Sequence, residues 1–374
     1  MSDSDYKQSI ELIIYLCSCA VNNIKVNENR LTNINVDNIY SVSQKHMLSS
    51  MVGQILKSNG ITSDKFDKAI ALSERKIIIL ENDYNEIVSD LEINEIWYMP
   101  LKGLIIKDYY PGFSMREMAD IDVLIDESRA EDVMNIMKKH GFDVKSFGEK
   151  NDDDYIKLPI SNFEMHRSLF GITHDKQICD YYRSIKSKLL KDPDNDFGYH
   201  FTAEDFYIFM IAHEYKHFIS CGTGLRSLLD TYVYINKENL NMEYVLSEAE
   251  KLGISNYEKN NRELSMKLFS GNTLTDDEEV MFNYIVSSGV YGNFQNYLEH
   301  RFSKDGGKKA YLLNRILGPI NEKDPKINNF KKRYATFYKY PILLPFLPIY
   351  RLIKALKNHP HKLISEVKAV KRQK

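Results

Sequence analysis

Cysteine is scarce in this chain of 374 residues: Cys17, Cys19, Cys179 and Cys221 are scattered, with no C-x-x-C spacing. That excludes a disulfide scaffold and a thiolate zinc ribbon, and it fits free thiols in a reduced cytoplasmic protein. No apolar run reaches the roughly 18 residues that span a bilayer. The opening residues, Met-Ser-Asp-Ser-Asp-Tyr-Lys, carry no signal-peptide pattern. Charge of one sign is also lacking. With a net charge of −2, the chain as a whole is no polyanion binder. The 25 Tyr and 18 Phe are ample, and the first use of aromatics is the core. At 43% hydrophobic and 27% charged, the composition is that of a globular protein long enough for two or three domains.

Hydrophobic periodicity predicts helices up to about residue 90, at Ile10–Cys17, Met47–Leu56 and Ile70–Ile87. The pattern changes at Ile96-Trp-Tyr-Met-Pro-Leu101, a short β-rich run followed by Lys102-Gly103. Leu104 to Tyr109 reads as a helix ending at Pro111-Gly112. A strand follows at about 119–126, then Ser128-Arg-Ala-Glu131 in capping-box form opens a helix that stops at His140-Gly141. Phe142–Phe147, Tyr155–Leu158 and Ile160–Phe170 read as strands, with Asn151–Asp154 as a hairpin loop. Helices return from about 176: Thr202–Asp205 opens one running through His217, and Thr223 caps the next. The expected fold is α+β, with an N-terminal helical region (1–90), a core (91–175), a C-terminal helical domain (176–330) and an apolar Pro-rich segment with a basic tail (331–374).

Asp120-Ile-Asp122 is the feature that carries most chemistry. On a strand, residues i and i+2 point to one face, so both acids project together while Ile121 and Val123 point to the other. Paired carboxylates repel unless a cation sits between them. Mg²⁺ takes one or two carboxylates together with substrate phosphates, so the pattern points to metal-assisted phosphoryl or nucleotidyl transfer. The bend at Lys102-Gly103 offers backbone N–H groups and a mobile cation to a phosphate, and Gly103 permits close approach. Arg116 can hold a phosphate bidentately. Glu164, in Asn162-Phe-Glu-Met-His166, fits a third acid on a neighbouring strand, sharing a face with His166.

Leu101-Lys-Gly, Tyr110-Pro, Arg116 and Asp120-Ile-Asp-Val-Leu resemble the motif of the uncharacterised nucleotidyltransferase family within the polymerase-β-like superfamily. Phe163-Glu-Met-His and the segment from His213 through His217 to Leu225-Arg-Ser-Leu-Leu-Asp230 resemble its downstream pattern. The resemblance implies a polymerase-β-like core, a mixed sheet with helices, flanked by helical regions. It also implies Mg²⁺ (or Mn²⁺) and transfer of an NMP group from an NTP to a small-molecule or protein acceptor by two-metal displacement. Asp120, Asp122 and Glu164 would be the catalytic, metal-holding acids. Lys102, Gly103, Arg116 and His166 would bind the nucleotide, and Arg226 and Asp230, an i, i+4 pair that could equally be an ordinary surface ion pair, would wall the nucleotide or acceptor pocket. Most members of the wider superfamily have Gly-Ser where this chain has Lys102-Gly103, a change that keeps a small residue but swaps a hydroxyl for a cation at the phosphate grip.

Two other functions compete. His213-Glu-Tyr-Lys-His217 is a literal H-E-x-x-H, the ligand spacing of a zinc hydrolase. A non-catalytic nucleotide-binding module would keep the fold without the chemistry. The tail also reads two ways. Arg351, Lys354, Lys357, Lys362, Lys368, Lys371, Arg372 and Lys374, against Glu366 alone, suit an anionic membrane surface or nucleic acid. The favoured expectation is that Ile342–Tyr350 packs over the helical domain and leaves a solvated basic end.

Overall fold

The computed structural model describes residues 1–171, 175–304, 306–318 and 327–358. The basic tail residues Lys362, Lys368, Lys371, Arg372 and Lys374, with Glu366, lie outside the described residues. The chain divides into two compact units, Met1–Lys216 with Thr223–Val290 and His217–Gly222 with Tyr291–Lys374.

The first unit opens with four helices: α1 (Asp3–Val21), α2 (Val36–Lys45), α3 (Ser49–Ser58) and α4 (Asp64–Ile93). Ser2 and Asp5 form a capping box at the start of α1, which satisfies backbone N–H groups that have no intrahelical partner. Next come β1 (Tyr98–Pro100), α5 (Gly103–Ile106), β2 (Ile121–Ile125), α6 (Ala130–Lys139), β3 (Asp143–Ser146), β4 (Asp152–Lys157) and β5 (Ser161–His166). The remainder is α7 (Lys176–Tyr182), the short pair β6 (Leu190–Lys191) and β7 (Tyr199–His200), then α8 (Ala203–Ser220), α9 (Leu225–Lys237), α10 (Met242–Lys251), α11 (Ser255–Ser270) and α12 (Asp276–Ser288).

The five-stranded sheet runs β1-β2-β5-β4-β3. Only β2 and β5 pair in parallel; the other neighbours are antiparallel. Alternation along the strands sorts their side chains. Ile121, Val123, Ile125, Tyr155, Phe163 and Met165 join one core with Ile77, Leu80, Ile87 and Leu91 of α4 and Val133, Ile136 and Met137 of α6. The α4 residues recur at helical spacing, so one apolar stripe of a 30-residue helix covers the sheet. The opposite parity, Asp122, Glu164, His166, Asp152 and Asp154, is left to the other face. The mixed α/β architecture with a mixed sheet agrees with the α+β expectation.

Several local expectations are corrected. Asn151–Asp154 is no loop, since Asp152 to Asp154 begin β4. Acids tolerate a strand here because distant partners compensate them: buried Asp153 accepts from Arg167 at 2.8 and 3.0 Å. Ser128 does not cap α6; Asp126 accepts from the Ser128 backbone N–H and caps a preceding 3-10 turn instead. Gly224, not Thr223, stands at the N-cap of α9, and Thr223 Oγ1 is buried without a hydrogen-bond partner. Thr202 does cap α8, accepting from the Asp205 N–H at 3.1 Å.

The second unit holds α13 (Phe294–Lys304), α14 (Lys308–Leu317), α15 (Ile327–Arg333), α16 (Ala335–Lys339), a 3-10 turn (Pro341–Phe346) and α17 (Leu347–Asn358). Leu298, Phe302 and Tyr311 form its small core. The expected packing of Ile342–Tyr350 is met in part: Leu347 is buried and α17 contacts α14, but Ile342, Phe346, Ile349 and Tyr350 are exposed. Among the described residues no helix is long and apolar enough to cross a membrane.

Candidate functional site

Parallel pairing of β2 with β5 sets Asp122 opposite Glu164 and Leu124 opposite His166. Antiparallel pairing of β4 with β5 sets Asp154 opposite Glu164 and Asp152 opposite His166. Carboxylates from three adjacent strands therefore meet on the polar face. Ligand atoms of Asp122, Glu164 and His166 lie within 4.8 Å of one another, as do those of Asp152, Asp154 and Glu164.

Asp122 anchors the first group. Its Oδ1 accepts from Lys102 Nζ at 2.7 Å and pairs with His166 Nε2 at 2.8 Å. His166 Nε2 also lies 3.7 Å from Glu164 Oε2. Burial would raise the Asp122 pKa, but the Lys102 ammonium and His166 outweigh it and hold the carboxyl far below its usual range. Glu164 goes the opposite way. Burial, and then the negative charges of Asp122 and Asp120, push it up to about 8. Asp120 stands just ahead of β2 and is raised by burial and by Asp122, against Lys102, Arg226 and Lys76. Its charge thus acts on both acids, although it does not join either three-residue group.

Lys102 reaches Asp122 from a backbone with φ 41° and ψ −109°, a region that costs an L-residue about 1–3 kcal/mol. It precedes α5, which is a single turn. Gly103 also leaves room for protein: a Cβ there would lie 3.0 Å from Arg116 Nη1.

Arg116, expected to hold phosphate, is turned onto Asp230. Its Nε and Nη2 donate to the two carboxylate oxygens at 2.8 and 2.9 Å, and the Tyr110 hydroxyl adds a third bond at 2.7 Å. All three residues are buried, so this network fastens the loop ahead of β2 to α9. Arg226 does not pair with Asp230 by hydrogen bond; it donates to the Glu117 carbonyl at 3.0 Å. Lys76 donates to the Ala119 carbonyl at 2.7 Å. The segment delivering Asp120 is thereby held by cations from α4 and α9.

Sequence reasoning did not single out Lys76, Asp152, Asp154 or Lys216. The alternation Asp152-x-Asp154 was a usable signal, hidden by its reading as a loop. Lys216 on α8 gave none. Burial, then Lys102 close by, lowers it to about 8.

The carboxylates of Asp122 and Glu164, with others beside them, fit a hard divalent cation; the buried His166 imidazole, whose Nδ1 has no hydrogen-bond partner, is a softer donor. The H-E-x-x-H segment shows a different character. Glu214 is buried at 7% exposure, and burial pushes it up to about 7. Neither metal-capable group among the described residues includes His213 or His217.

No curated protein and no solved structure matches the chain. A family model does, over residues 32–270, a span that begins at the helices in front of the sheet and runs through α11. That is well over half of the sequence, and it takes in Lys102, Asp122, Glu164 and the helices behind them: the chain belongs to the uncharacterised nucleotidyltransferase family, and its expected role is that of a transferase.

Proposed function

We propose that this chain moves an NMP group from an NTP to the hydroxyl of a small-molecule or protein acceptor, with 91–175 as a polymerase-β-like catalytic core. The observation that carries the reading is the parallel register of Asp122 and Glu164, with Lys102 Nζ 2.7 Å from Asp122 Oδ1. Asp120, Asp122 and Glu164 would hold two Mg²⁺ or Mn²⁺ ions. When bound, such ions lower the pKa of an acceptor hydroxyl and neutralise the triphosphate.

The acceptor oxygen attacks the α-phosphorus as the bond to the β-phosphate oxygen breaks, releasing pyrophosphate. The hydroxyl proton passes to a Glu164 carboxylate oxygen. Burial and the negative charges of Asp122 and Asp120 push this carboxyl up to about 8; cations held among these acids would oppose that shift and keep it ionised, ready to take the proton. His166 orients Asp122. Lys102, with Arg226 and Lys216 nearby, faces the developing charge on the phosphates. Arg116 and Asp230 act at one remove, by fixing the loop that carries Asp120.

The test is incubation of the purified chain with each α-labelled NTP, Mg²⁺ or Mn²⁺ and host lysate, with mass analysis of what gains label. Label should depend on the cation and fall at least about 100-fold in Asp122→Asn. Label transfer that survives Asp122→Asn unchanged rejects the site.

A further inference from the structure

We propose that α17 and the turn before it form a docking face for an anionic membrane surface. Within the second unit, α17 buries Leu347 (4% exposed) and lays Arg351 over the Phe330 ring at 4.8 Å. Residues 349, 352 and 353 follow at helical spacing on the opposite side, and they are Ile, Leu and Ile at 58%, 51% and 59% exposure. A helix whose apolar stripe points away from its own core is inverted relative to a solvated surface helix. Ile342 (82%) and Phe346 (59%) in the adjoining turn extend the apolar surface. Bulky aliphatic and aromatic residues exposed together in one short segment suit an interaction face.

Charge identifies the partner. Lys339, Lys354 and Lys357, in the same segment, are exposed. From 339 to 374 the sequence has nine lysines and arginines against one acid, Glu366, in a chain whose net charge is only −2. Basic side chains beside bulky aliphatic ones match a bilayer surface, where the cations meet anionic headgroups and the apolar stripe enters the acyl boundary. Nucleic acid would reward the cations but offers nothing to Ile349 and Ile353. The segment thus holds the chain at a lipid surface without crossing it.

The test is co-sedimentation of the full chain with phosphatidylcholine vesicles, with and without about one third phosphatidylglycerol. The chain should pellet with the anionic vesicles and at least about tenfold less with neutral ones, the difference fading in high salt. Ile349→Asp/Ile353→Asp should cut anionic binding at least about tenfold with an unchanged melting temperature. Lys354→Gln/Lys357→Gln, at exposed positions, provides a second variant that should weaken it as well. The proposal is overturned if wild-type chain stays in the supernatant or if both variants pellet like wild type. It is also overturned if the aliphatic variant instead halves a dimer mass, or if only single-stranded nucleic acid binds and does so equally in that variant.

Discussion

Lys102 and Asp122 face each other across the β1–β2 junction, with ammonium and carboxylate 2.7 Å apart and the two side chains 18% and 7% exposed. The lysine thus occupies carboxylate surface that a divalent cation would use. Replacing it by methionine keeps the chain's reach and removes the competing charge. Lys102→Met should bind Mn²⁺ at least about threefold more tightly in the absence of nucleotide, since a unit charge a few Å away is worth about 1–4 kcal/mol. Titration calorimetry or the Mn²⁺ resonance signal reads this directly. Equal or weaker affinity would show that Lys102 is not a rival for that position.

The buried Arg116–Asp230 pair supports the site from behind. Asp230→Ala leaves a guanidinium without its carboxylate and the Tyr110 hydroxyl without an acceptor, so it should destabilise the first unit by about 3–5 kcal/mol. Urea unfolding measures the change. Asp230→Asn, which keeps an acceptor oxygen for Tyr110, should cost distinctly less.

Gly103 tests the same network from the opposite side. A methyl group there meets Arg116 Nη1 at 3.0 Å, so the guanidinium must give way. Gly103→Ala is expected to cost about 1–2 kcal/mol. Combined with Asp230→Ala the two losses should sum to less than their total, because both act through Arg116. Strict additivity in the double variant would mean the contact carries no strain.

Glu214 makes stability depend on pH. Burial raises it from 4.5 to about 7, so the folded chain holds a proton that the unfolded chain releases earlier. Its contribution is intact below about pH 4.5 and is lost as pH rises through about 7, with a slope of up to about 1.4 kcal/mol per unit. Glu214→Gln should flatten the fall in urea midpoint between those values. A parallel decline in variant and wild type would place the titration elsewhere.

Local signals were enough for part of the site. Asp120-Ile-Asp-Val and Phe163-Glu-Met-His alternate apolar and polar, and a strand's two-residue period separates Ile121, Val123, Phe163 and Met165 from Asp122, Glu164 and His166 whatever the rest of the chain does. The helical stripe of α4 and the Thr202 cap were legible for the same reason: each depends on neighbours within about four residues. The apolar run at 342–350 misled, because hydrophobicity alone does not say whether a residue meets its own core.

Sequence by itself therefore determined most of the helices, the two-faced strands β2 and β5 and the acids Asp122 and Glu164 on their polar face, since periodicity is a property of adjacent residues; it missed Asp152 and Asp154. Tertiary structure decided who meets whom. It set Glu164 between Asp122 and Asp154, gave the Nε and Nη2 of Arg116 to Asp230, and put Lys102 on Asp122. Those choices rest on pairings up to 114 residues apart, where the low dielectric of a buried site makes each charge answer to its nearest neighbour in space rather than along the chain.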